Sequence, residues 1–92
     1  MRVTQTRIFS KQKKKLHANQ INDLDKAIRN IMRDPKIGTQ KQGDLSFIRV
    51  HKFKMVSQEW LLAYQEIGDQ IILYALGSHE NFYRDLKRAV ND

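Results

Sequence analysis

Cysteine is absent from the 92-residue sequence, which excludes disulfides and thiolate metal sites. Proline occurs once, and 40% of the residues are hydrophobic. That composition belongs to a globular chain rather than a disordered one. Long apolar runs are missing: the longest, Trp60–Tyr64 and Ile71–Leu76, are far too short to cross a bilayer. The first ten residues, MRVTQTRIFS, contain no apolar run of the kind that marks a secretory signal. A cytoplasmic protein without membrane association is the expectation. There is no internal repeat and no low-complexity segment. A chain this short has room for one modest core, so residues 1–92 are expected to form a single domain.

Acidic residues are also few. Ten Asp and Glu stand against seventeen Lys and Arg, for a net charge of +7. Such a bias favours a polyanionic partner: RNA, DNA or an acidic protein.

The spacing of apolar residues gives the order of elements. Val3–Phe9 reads as a first strand, with Ser10 as N-cap of a basic helical turn. Ile21, Leu24, Ile28 and Ile31 then recur at three and four residues and make one helical stripe. Residues 11–33 fit either one helix or a helical hairpin broken near His17–Asn19. Pro35 ends this region, because the residue before a proline is biased away from helix. Lys36–Asp44 reads as a loop. The period then changes to two. Leu45–Met55, Trp60–Glu66 and Gln70–Leu76 are strands separated by turns at Val56–Gln58 and Ile67–Asp69. Glu80–Val90 is a final helix with Phe82, Leu86, Ala89 and Val90 on one face. These elements describe an α+β domain: a small antiparallel sheet of about four strands, an N-terminal helix or helical hairpin on one face, and a C-terminal helix. The helices are expected on one face of the sheet, leaving the other open.

Several strings in this order resemble the RelE/ParE superfamily of bacterial toxins. They are Asp34-Pro35, Gly43-Asp44-Leu45 followed by Ile48-Arg49-Val50, Leu61-Leu62-Ala63-Tyr64-Gln65, and Gly77-Ser78-His79-Glu80-Asn81-Phe82-Tyr83. The resemblance covers nearly the whole chain from about Phe9 onward. It implies the toxin of a type II toxin-antitoxin pair, held inactive by a cognate antitoxin. In the RelE branch such toxins enter the ribosomal A site and cut bound messenger RNA. In the ParE branch they poison DNA gyrase. The branches share a fold, so the choice rests on the site.

Metal-free RNA cleavage needs proton transfer at the 2′- and 5′-oxygens, cations for the phosphate, and a group that holds the base. His79, at the junction of the last strand and last helix, is the first candidate for proton transfer; the resemblance gives that position a catalytic or phosphate-handling role. Lys52 and Lys54 alternate on one strand, so their side chains share a face suited to a phosphate. His51 is a second candidate for proton transfer. It and Arg49 fall on the opposite face unless a β-bulge intervenes. The resemblance makes Tyr83 a base-stacking residue, while Arg84 suits contact with RNA or with solvent equally. Trp60 and Tyr64 share a face with Leu62 and read as core. Leu61 departs from the pattern, falling where some RelE-type enzymes carry a phosphate-gripping Arg; Arg49 or Arg84 would have to substitute. Lys11–Lys15, Lys36 and Lys41 carry no chemistry by their spacing and suit contact with ribosomal RNA phosphates.

The site therefore favours a ribosome-dependent mRNA endoribonuclease with no metal and no cofactor. A gyrase-inhibiting toxin without catalysis is the alternative, and a plain nucleic-acid-binding module the third reading. His17, His51 and His79 lack metal-ligand spacing. The expected antitoxin is acidic and partly disordered when free.

Overall fold

Strand β1 (Arg2–Gln5) is followed in the computed structural model by helices α1 (Arg7–Lys14) and α2 (Ala18–Arg33) and by the short strand β2 (Thr39–Gln40). A 3-10 turn at Gly43–Leu45 leads into β3 (Arg49–Met55), β4 (Gln58–Ile67), β5 (Gln70–Gly77) and helix α3 (His79–Asn91). The structure describes residues 1–91, and Asp92 lies outside the described residues.

The first strand is shorter than its residue types suggest. Thr6 stops it. In extended backbone (φ −76°, ψ 165°), the Thr6 hydroxyl accepts from Phe9 N at 3.1 Å and donates to the Tyr74 carbonyl at 2.7 Å. Thr6, not Ser10, is thus the N-cap. Phe9 joins the helix and is fully buried: the cap and the core outweigh a weak strand propensity. The region 11–33 is a hairpin. It breaks after Lys14, and α2 starts with His17 N donating to Gln20 Oε1 at 2.8 Å. Asp34, ahead of Pro35, has left helical geometry at φ −141°, ψ 85°.

The segment 45–48 is not a strand. Ser46 N bonds Gly43 O, and Ile48 N bonds Leu45 O at 2.9 Å. The chain folds back on itself before β3 begins.

The sheet order is β1-β5-β4-β3-β2. Strands β2 to β5 form an antiparallel meander, and β1 adds a fifth strand parallel to β5. β1 pairs only with Gln70–Leu73. Beyond it the β5 edge is covered by α1: Leu76 N donates to Gln12 Oε1 at 2.7 Å, and Thr6 takes the Tyr74 carbonyl. An edge that would otherwise invite another chain is thereby closed. The β4–β5 ladder shifts register between Ala63 and Tyr64.

The helices do not share one face. The α1–α2 side holds Phe9, Leu24, Ile31, Leu62, Tyr64 and Leu73. The other side holds Phe82 and Leu86 of α3 with Val50, Leu61, Ala63 and Ala75. The run Leu61–Tyr64 is buried at every position, as a strand covered on both faces must be. The α3 stripe needs an apolar surface, and the second face supplies it. What stays open on that face is the end around Lys52 and Lys54. No helix among the described residues is long and apolar enough to cross a membrane.

Candidate functional site

Side chains alternate along β3, and the pairing of Arg49–Met55 with Tyr64–Gln58 runs without interruption. The bulge needed to unite the four candidates of this strand does not occur in it. Lys52 and Lys54 are exposed beside α3. Arg49, His51, Phe53 and Met55 face α2. There His51 stacks on Phe53, with centroids 6.1 Å apart and an interplanar angle of 10°. Burial lowers the His51 pKa. Arg49 donates to the carbonyls of Gly38 at 2.9 Å and Lys36 at 3.4 Å, tying down the loop after α2.

His79 begins α3, where free backbone N–H groups and the helix dipole favour an anion. Its Nε2 lies 3.0 Å from Oε1 of Glu59. That hydrogen bond holds the Glu59 carboxyl below its usual range. Desolvation opposes the effect, and the charges of Lys52, His79 and Lys54 reinforce it.

His79 also borders a cavity of about 280 Å³ with Lys41, Lys52 and Tyr83, floored by Val50 and Leu61. His79 and Tyr83 are four residues apart on one helix and so share its face. Tyr83 is 42% exposed, while its neighbour Phe82 is buried in the core. Lys41 Nζ donates to the Tyr83 hydroxyl at 3.1 Å and sits 4.8 Å from the ring centroid. Lys54 stands opposite Glu59 in the ladder, one step beyond the cavity lining.

The structure thus brings together His79, Lys52 and Tyr83, with Lys54 adjacent. It leaves His51 and Arg49 on the far face. Arg84 points elsewhere, 3.6 Å from Asp85, in a cleft with α1. Neither arginine fills the space above Leu61.

Two residues of the arrangement were not among the sequence's site candidates. Lys41, read only as part of a general basic surface, reaches the cavity because β2 pairs with β3 and Lys41 N bonds Ile48 O at 2.9 Å. Glu59 did leave a sign. A two-residue turn at Val56–Ser57 puts Glu59 opposite Lys54. Its alignment with His79 left no such sign, because it depends on the observed register, which continues from Leu61 opposite Gly77. Among the described residues, no three His, Asp or Glu side chains converge to hold a metal ion.

A family model of the ParE-like toxin of type II bacterial toxin-antitoxin systems matches residues 3–87. A mutant of the E. coli toxin RelE in the free state is similar in structure, with a TM-score of 0.74 and 21% identity over 98% of this chain and 94% of that one. A chain of the intact E. coli RelBE toxin-antitoxin complex is similar at a TM-score of 0.69 and 21% identity, over 86% of this chain and 96% of its own. No curated protein sequence matches significantly.

Proposed function

The chain belongs to the family of ParE-like toxins of type II bacterial toxin-antitoxin systems, and from that premise we propose that it is a ribosome-dependent endoribonuclease that cuts messenger RNA without a metal. The observation that carries this reading is the Glu59–His79 pair, 3.0 Å apart, beside a cavity lined by Lys41, Lys52 and Tyr83. A protein that acts by binding alone has no need of a proton-transfer pair flanked by cations.

The chemistry follows from the groups present. Glu59, held ionised by His79 and the nearby lysines, takes the proton of the 2′-hydroxyl. The 2′-oxygen attacks phosphorus, and the bond to the 5′-oxygen breaks. His79, protonated, supplies the proton that the leaving 5′-oxygen needs. The products are a 2′,3′-cyclic phosphate and a free 5′-hydroxyl. Lys52, Lys41 and, farther out, Lys54 offset the charge that builds on the phosphate. Lys41 takes the place of the arginine missing at Leu61. Tyr83 stacks on the base beside the cut, a contact worth roughly 1–3 kcal/mol. The antitoxin of the pair is the partner that silences this site, and ribosome-bound message is its substrate.

The test is a reconstituted translation system with message in the A site, run beside a gyrase supercoiling assay. Cleavage to a cyclic-phosphate end supports the reading. Intact message together with inhibited gyrase rejects it in favour of a non-catalytic gyrase poison.

A further inference from the structure

Arg49 does not line the cavity beside His79, yet it is bound to the segment that supplies one of that cavity's cations. The span Pro35–Lys41 follows α2, joins the sheet as its edge strand β2 and brings Lys41 to the cavity. Strand pairing alone does little to fix this path, because β2 contributes only Thr39 and Gln40, opposite Val50 and Arg49, and so short a strand is weakly held by its ladder. Two side chains from the α2 face hold the rest. Arg49 Nη1 donates to the carbonyls of Gly38 at 2.9 Å and Lys36 at 3.4 Å. The Tyr64 hydroxyl donates to the Pro35 carbonyl at 2.6 Å and accepts from Gly38 N at 2.9 Å. Gly38 is thus gripped through both its N–H and its carbonyl. Three residues on, Lys41 N bonds Ile48 O at 2.9 Å, and Lys41 Nζ donates to the Tyr83 hydroxyl at 3.1 Å. One short span is therefore clamped from one face of the sheet and delivers a cation on the other.

We propose that Arg49 is a positioning residue for the cleavage reaction: from the face opposite the cavity, its guanidinium fixes the Gly38 end of this span and so sets where the Lys41 ammonium stands beside His79. The inference deepens the endoribonuclease reading and rests on it. Arg49 acts through Lys41, because its own donors are taken up by backbone carbonyls. Hydrogen bonds from a charged donor are stronger than neutral ones, and a guanidinium stays charged throughout the working pH range. Only Thr39 and Gln40 separate Gly38 from Lys41, so little chain is available to absorb a shift at Gly38. A cation stabilises a phosphate transition state only where it is already in place, and a displacement of about 1 Å far from the chemistry can cost up to about 100-fold in rate.

The test joins a structural and a kinetic readout on the intact protein. Arg49→Met keeps the apolar stem of the side chain and removes its donors. Arg49 is partly exposed, so the fold should survive; circular dichroism checks this, and Arg49→Gln serves if Arg49→Met does not fold. In the wild type, Lys41 Nζ lies 4.8 Å from the Tyr83 ring centroid, close enough for nuclear Overhauser cross-peaks between the Lys41 methylene and Tyr83 ring protons. Those cross-peaks are expected to disappear in Arg49→Met. Single-turnover cleavage of an A-site message is expected to slow by roughly 10- to 100-fold, and by no more than Lys41→Ala slows it. Adding Arg49→Met to Lys41→Ala should slow cleavage no further, because both act through one cation. Undiminished cross-peaks in the folded variant overturn the proposal. So does an Arg49→Met change that slows Lys41→Ala as much as it slows the wild type, which would give Arg49 a role of its own on the RNA. The two readings fail separately: a wild type that leaves the message intact removes the cleavage reading and this proposal with it, whereas a cleaving wild type with either of the other outcomes removes this proposal alone.

Discussion

At the scale of single residues, His79 and Glu59 carry the largest expected effects. A missing general acid or base lowers a rate by roughly 10²–10⁴-fold, and His79→Ala is expected in that range. The His79 side chain is 60% exposed, so the fold should survive its loss. Lys52→Ala and Lys54→Ala should also slow cleavage, Lys52 more, because it lines the cavity and Lys54 does not. Lys13→Ala should alter only the salt dependence of ribosome binding. Single-turnover cleavage of an A-site message is the measurement; a folded His79→Ala that cuts at the wild-type rate removes His79 from the mechanism.

His51 makes a different prediction, about stability. Burial holds its imidazole below the ordinary 6.5. Between that lowered value and 6.5 the unfolded chain binds more protons than the folded one. Stability is therefore kept above pH 6.5 and lost as pH falls through the folded value. His51→Gln removes this dependence, so melting curves of variant and wild type should converge or cross between pH 7 and 5. Parallel curves would show that His51 is not the cause. Gly38 is constrained by space. A Cβ there would lie 2.9 Å from Cε1 and the hydroxyl of Tyr64 and 3.1 Å from the Val50 carbonyl carbon. The same Tyr64 hydroxyl accepts from Gly38 N at 2.9 Å and donates to the Pro35 carbonyl at 2.6 Å, so it has little freedom to move away. Gly38→Ala should cost about 1–3 kcal/mol, as overpacking does, read from chemical denaturation.

At the scale of elements, the β3–β4 turn holds a strained residue. Val56 and Ser57 both have positive φ, 49° and 67°. A β-branched side chain is a poor fit there, whereas Asn-Gly suits a two-residue hairpin turn. Replacing the pair by Asn-Gly should stabilise the protein by about 1 kcal/mol, of the order of the strain released. Val56 contributes only its backbone N–H to the contact with Asp23 Oδ2 at 2.8 Å, which Asn retains. A lower melting temperature in the Asn-Gly variant would mean that the Val56 side chain earns its place by packing. Strand β4 shows what an element needs when both its faces are covered. Its four consecutive buried residues read in the sequence as an apolar run without alternation, and that run was the available sign that helices lie on both sides.

At the scale of the whole molecule, the sheet separates two surfaces. The proposed cleavage site uses Lys41, just after β2, with side chains of β3, β4 and α3 on one face, and the α1–α2 hairpin covers the other. Every acid, base and cation assigned to the reaction is a side chain. Cleavage of message on ribosomes assembled beforehand should therefore persist in excess EDTA. Loss of cleavage with the ribosomes still intact would reject this mechanism.

The sequence by itself determined the order of the longer elements apart from the α1–α2 break, the hairpin pattern, the shared face of Lys52 and Lys54 and the junction position of His79. Each follows from local periodicity, turn chemistry or the two-residue repeat of a strand. The third dimension decided what joins them. Strand parity alone assigns His51 and Arg49 to the far face of β3, and only the uninterrupted β3–β4 ladder rules out the bulge that would have moved them. The shift that does occur lies between β4 and β5 at Ala63/Tyr64. It adds one residue to β5 and so brings His79, rather than Ser78, level with Glu59. Lys41 enters the site through an edge strand of two residues, too short to leave a periodic signal. A register shift and an edge pairing are set by packing between distant segments, and for that physical reason neither is written in the local pattern of residues.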